Sequence, residues 1–122
     1  AESLNALKLD GVLFRPTAFV PSASKHAGAE CFGVQLHITD RAAFRAIPTG
    51  LHVIAACRAL APKQFEFLKT SWEGRPPHFD LLTGDVRVRE GLLSNQSVES
   101  LTHAWKNDLA RFDEIRNKYL LY

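Results

Sequence analysis

Methionine is absent from the 122 residues, and cysteine occurs only twice, as Cys31 and Cys57. No Cys-x-x-Cys pair is present, which excludes a zinc ribbon or a thioredoxin motif. Two thiols are compatible with any redox compartment. No apolar run approaches the ~20 residues needed to span a bilayer. The most apolar stretch, Leu51 to Ala61, is interrupted by His52 and Arg58. No signal-peptide pattern is visible. Neither sign of charge dominates: 15 basic and 13 acidic side chains leave a formal net charge of +2. A phosphate-tracking surface needs clustered Lys and Arg, so nucleic acid is not an expected partner. A small anion remains open, because one placed cation is enough to hold it. Internal repeats, low-complexity tracts and linkers are also missing, and one domain over residues 1–122 is expected.

What is present reads as α+β, a small mixed or antiparallel sheet covered by helices, with a long C-terminal helix. Ser3 to Leu9 suits a short helix ended by Asp10-Gly11. Val12 to Val20 reads as an edge or irregular strand, because β-branched and aromatic residues surround Pro16. Pro21 to Glu30 is a loop. Phe32 to Thr39 alternates clearly, with Val34, Leu36 and Ile38 on a buried face and Gln35 and His37 on the other. Asp40 is placed to cap a turn through Phe44. A buried helix is expected from Thr49 or Gly50 to Pro62. Lys63 to Trp72 is ambiguous. Asp85 to Leu93 reads as a helix capped by Asp85. Ser97 caps the strongest helix, in which Val98, Leu101, Trp105, Leu109, Phe112, Ile115 and Tyr119 recur at spacings of three and four. The terminal Tyr119-Leu-Leu-Tyr122 is expected to dock back on the body.

Several residues could carry chemistry. Ser24, Lys25 and His26 place a hydroxyl, an ammonium and an imidazole side by side, a set able to bind a carboxylate or a sugar hydroxyl. An ordinary exposed polar loop has the same composition. Gln35 and His37 could extend that polar surface, or could be the solvated face of a half-buried strand. His26, Cys31, His37 and Cys57 match no standard zinc spacing, so neither a metal nor another cofactor is expected. Cys57 reads as a core residue. Cys31 as a nucleophile would lean on Lys25 or His26. Among the acids no spacing selects a glycosidase pair. Asp80 is the most suggestive, since Phe79 and Leu81 would desolvate it and favour its protonated form. Capping of Leu81-Leu82-Thr83 is its alternative role. Trp72 is the better candidate for an exposed stacking platform, and Trp105 the better core residue.

Five segments taken in order carry a resemblance. They are Phe19-Val-Pro-Ser-Ala-Ser-Lys-His-Ala-Gly28, Cys31-Phe-Gly-Val-Gln-Leu-His-Ile-Thr-Asp-Arg41, Phe44-Arg-Ala-Ile-Pro-Thr-Gly-Leu51, Phe79-Asp-Leu-Leu-Thr-Gly84 and Tyr119-Leu-Leu-Tyr122. Together they resemble the C-terminal domain of the bacterial NamZ-type exo-β-N-acetylmuramidases, from about Gly11 to Tyr122. The resemblance implies a two-domain peptidoglycan glycosidase that removes N-acetylmuramic acid from non-reducing ends in cell-wall turnover. It implies an N-terminal Rossmann-like domain as partner, a cleft between the domains, and a catalytic acid from the N-terminal part. It also implies a secreted or periplasmic location. Ser24, Lys25, Gly28, Cys31, Gly33, Gln35, Asp80 and Gly84 match the family's pattern. Ser24, Lys25, Gln35 and Asp80 from that pattern, with His26 and His37 from their places beside them in the loop and on the strand face, are the expected substrate-binding residues; pairing of Lys25 with the lactyl carboxylate is a physical inference and not a property of the family. No catalytic residue is assigned. A non-catalytic binding or assembly module is the alternative, and an independent cysteine hydrolase a third reading.

Overall fold

The computed structural model describes residues 1–121. Its elements run α1 (Glu2–Ala6), β1 (Val12–Phe19), β2 (Cys31–Ile38), α2 (Ala46–Leu60), α3 (His78–Thr83), α4 (Val86–Leu93), α5 (Val98–His103) and α6 (Lys106–Arg116). The architecture is therefore α+β, with six helices and a two-stranded antiparallel sheet among the described residues. Two compact units divide within α2, the first ending at Ala56 and the second starting at Cys57.

In the first unit the strands pair from Val12↔Ile38 to Phe19↔Cys31. A two-stranded ribbon is marginal alone, and local contacts reinforce this one. Asn5 of α1 donates through Nδ2 to the Phe14 carbonyl at 2.8 Å and accepts from the Phe14 N–H at 2.9 Å. Its amide thus replaces a neighbouring strand for one residue and holds Leu4 and Phe14 in the core. At the ribbon's other side, Gly11 accepts from Thr39 N at 2.9 Å. Its φ is +70°, and a Cβ there would fall on the Asp40 carbonyl oxygen and 2.7 Å from Phe44 N. Only glycine fits. Asp40 Oδ1 accepts from Ala42 N at 2.8 Å, which forms the expected turn cap.

Helix α2 starts earlier than expected because Pro48 lies in its first turn, where an N–H has no intrahelical acceptor to lose. It is also less buried than expected. Thr49, Leu51 and His52 are buried, but Cys57 is exposed and Leu60 is 81% exposed. Cys57 is therefore not a core residue.

In the second unit residues 63–72 form neither helix nor strand. Phe67 anchors this segment by packing edge-on to Phe65 at 5.1 Å and against Phe79 at 4.7 Å. Helix α3 ends at Gly84 with φ +69°, a left-handed C-cap. Asp85 caps α4 and Ser97 caps α5, each accepting from a backbone N–H of its first turn. Val88, Leu92, Val98 and Leu101 form the core of this unit. Each full burial contributes roughly 1.5–3 kcal/mol.

The long C-terminal helix is present as two segments. Thr102 Oγ1 donates to the Val98 carbonyl at 2.9 Å and lies 3.3 Å from that of Glu99. Such back-bonding bends a helix, and Trp105 N then closes a tighter bond to Thr102 O at 3.2 Å. Beyond the break the apolar stripe is not core: Leu109, Phe112 and Ile115 are 54–57% exposed and Trp105 is half-buried. Tyr119, Leu120 and Leu121 are exposed and do not dock. Tyr122 lies outside the described residues.

Candidate functional site

The loop between β1 and β2 is held from below and open above. Phe19 and Cys31 pair at its root. Gly28 N donates to Pro21 O at 2.9 Å, which closes the loop on itself, and Ala27 N donates to Ser24 O at 3.1 Å. Gly28 takes φ +76°, and Ser24 takes φ +72°, a left-handed conformation that a side chain adopts at a cost of about 1–3 kcal/mol. Ser24, Lys25 and His26 are all exposed on the turn that follows. Ser24, Lys25 and His26 thus present a hydroxyl, a cation and an imidazole on a backbone pinned by its own carbonyls.

Gln35 and His37 do share a face of the ribbon, with Arg15 and Leu13 directly opposite them. They lie four and six residues along β2 from Cys31, roughly 13 and 20 Å from the loop's root in an extended strand. The two differ in environment. Gln35 is exposed, whereas His37 is half-buried and its Nε2 is enclosed without a hydrogen-bond partner. On the opposite face Leu36 and Ile38 are 42% and 51% exposed and Val34 is half-buried, so the expected burial of that face against an open Gln35/His37 face is not observed.

Asp80 belongs to the second unit and has a committed partner. Arg89 grips it in bidentate fashion, Nε to Oδ1 at 2.8 Å and the second nitrogen to Oδ2 at 3.0 Å. Both side chains are largely covered. The bond to Asp80 raises the Arg89 pKa above its ordinary value. Asp80 therefore does not cap α3 and is not free of a partner, and Leu81 beside it is 46% exposed. Sequence reasoning missed Arg89 because the contact crosses nine residues between two helices. Trp72 is exposed as expected, on a tight turn closed by Ser71 N to Pro76 O at 3.0 Å, with the Arg75 guanidinium 5.4 Å from its ring centre.

Cys31 and Cys57 are both free thiols, and Cys31 Sγ contacts only the Ala29 carbonyl at 3.7 Å. Among the described residues no three His, Cys, Asp or Glu side chains converge as metal ligands, and no helix is long and apolar enough to cross a membrane.

The family model described as exo-β-N-acetylmuramidase NamZ, C-terminal, matches residues 1–122. The chain belongs to this family. It is 43% identical over 121 residues to the peptidoglycan β-N-acetylmuramidase NamZ of Bacillus subtilis, which covers 99% of this chain and 28% of that protein. The fold is similar to the crystal structure of a DUF1343 family protein from Bacteroides fragilis, with a TM-score of 0.81 and 28% identity. That match covers all of this chain and 32% of the solved one. The chain thus spans under a third of both relatives. Its α+β fold is that of a NamZ C-terminal domain.

Proposed function

We propose that this domain forms one wall of the sugar-binding cleft of an exo-β-N-acetylmuramidase and does not catalyse hydrolysis alone. The observation that carries the reading is the Ser24–Lys25–His26 loop, exposed and pinned at the end of the hairpin in a chain of this family. Lys25 pairs with the lactyl carboxylate that distinguishes muramic acid from glucosamine, a charge-assisted contact. Ser24 and His26 bond neighbouring hydroxyls. Gln35 extends the polar surface along β2. Asp80 acts through its bond to Arg89 and shapes its own unit.

Four of the chain's 13 acids are committed to structural partners. Asp40 caps a turn, Asp80 and Asp85 hold arginines, and Asp113 pairs with Arg116 at 3.2 Å. A glycosidase needs two carboxyl groups free to flank one bond. The catalytic acid then comes from the N-terminal part of a longer polypeptide, for which the exposed stripe of Leu109, Phe112 and Ile115 is the docking face. A peptidoglycan substrate in cell-wall turnover places the work outside the cytoplasmic membrane, in a secreted or periplasmic setting.

The test is turnover. The purified chain should release no muramic acid from a chromogenic N-acetylmuramide, and robust release by pure material would contradict the reading.

A further inference from the structure

Helices α4 and α5 approach closely where Gly91 faces Leu101; a Cβ on Gly91 would collide with the Leu101 side chain. The absence of that Cβ shapes the floor of a groove of about 510 Å³. This is within the range of about 300–1,000 Å³ typical of small-molecule sites. Trp105 forms one wall, half-buried at the α5–α6 break. The rim carries Glu90, Gln96 and Ser100, all exposed. Among the described residues their side-chain oxygens and nitrogens show no hydrogen-bond partner, whereas the neighbouring Asp85 and Arg87 bond each other.

An aromatic wall beside exposed carboxylate, amide and hydroxyl groups that can exchange water for a ligand suits a ligand with one C–H face and several hydroxyls. A pyranose ring has that form: its axial hydrogens pack on an indole face and its equatorial groups need both donors and acceptors. Charge narrows the class. With Asp85 and Arg87 paired with each other, Glu90 is the remaining charged side chain of the lining; its field also reaches Arg89, whose guanidinium is bonded to Asp80, and it repels a carboxylate ligand.

We propose that the α4–α5 groove binds a neutral hexopyranose of the N-acetylglucosamine class. The Trp105 ring is the stacking surface, and Glu90, Gln96 and Ser100 bond the hydroxyls and the acetamide. The site stands on the groove alone and uses no residue of the Ser24–His26 loop, to which the proposed function assigns the anionic sugar. A domain with both would read the two alternating sugars of a peptidoglycan strand at two places.

The experiment is a titration of the 122-residue chain with N-acetylglucosamine and its β-1,4 dimer, followed by amide and indole N–H shifts. The two tryptophan indoles resolve Trp105 from Trp72. Saturable shifts should cluster at Gly91, Gln96, Ser100 and the Trp105 indole. N-acetylmuramic acid should move them less, and Glu90→Gln should narrow that difference. Trp105→Phe and the exposed Gln96→Ala should each weaken binding, Trp105→Phe by about tenfold, with circular dichroism confirming the fold. A response that never saturates, saturable shifts confined to the Trp72 turn, or Gln96→Ala and Trp105→Phe binding as well as the unaltered chain, would overturn the proposal. Shifts only at Ser24–His26 would also overturn it while leaving the loop reading intact.

Discussion

Asn5 shows how much one polar side chain can do in a thin sheet. Phe14 is 2% exposed, so its backbone groups have little access to water. Asn5 satisfies both, at 2.8 and 2.9 Å. Asn5→Ala would leave a shielded N–H and C=O unpaired, each costing about 1–3 kcal/mol. Urea unfolding should report that loss, and a midpoint unchanged by the substitution would show that water replaces the amide. Nothing local in Ser3-Leu4-Asn5 announces this role, because the contact is made nine residues away. Arg89 was hidden for the same reason. By contrast the Asp40, Asp85 and Ser97 caps were legible, since a cap acts within three residues of itself. The Ser24–Lys25–His26 loop lies between these cases. Its chemistry is ordinary in composition, and only the ordered set of resembling segments marked it out.

At the scale of elements, the hairpin was legible from residue types, β-branched and aromatic around Pro16 in β1 and alternating apolar and polar in β2, although burial follows no period of two in either strand. The start of α2 was not: it lies three residues before the expected Thr49, with Pro48 in the one turn that tolerates it. The division of the last helix was also hidden, since Thr102 fits the helical period while its hydroxyl competes for the helix's carbonyls. Helix α4 offers a pH test. The Arg87 guanidinium and then the Arg87 N–H hold the Asp85 carboxyl below its ordinary value of 3.8. A depressed carboxylate stabilises the folded state fully above that value, and the contribution fades as pH falls through the lower folded value. Stability followed from about pH 5 downward should therefore decline in acid. Asp85→Asn should flatten the part that Asp85 causes, and an identical acid limb in that variant would assign it to other carboxylates.

For the molecule as a whole, the discrepancy between pattern and burial is the informative one. The spacing of Leu109, Phe112 and Ile115 correctly marks an apolar face, yet that face is exposed in this chain. Periodicity reports that a surface is made to be covered and is silent on what covers it. The relatives, of which this chain spans 28% and 32%, are consistent with a cover supplied by further polypeptide. The α+β fold and the family were thus readable from sequence, while the outward-facing stripe and the α4–α5 groove needed three dimensions. The proposed function assigns recognition of the acidic sugar to the loop, and to Lys25 above all. Its most direct measurement is a titration of the chain with N-acetylmuramic acid followed at the Ser24, Lys25 and His26 amides. The account predicts saturable shifts there that exceed those with N-acetylglucosamine and collapse in Lys25→Ala. Unmoved loop amides, or equal shifts with Lys25 removed, would contradict it.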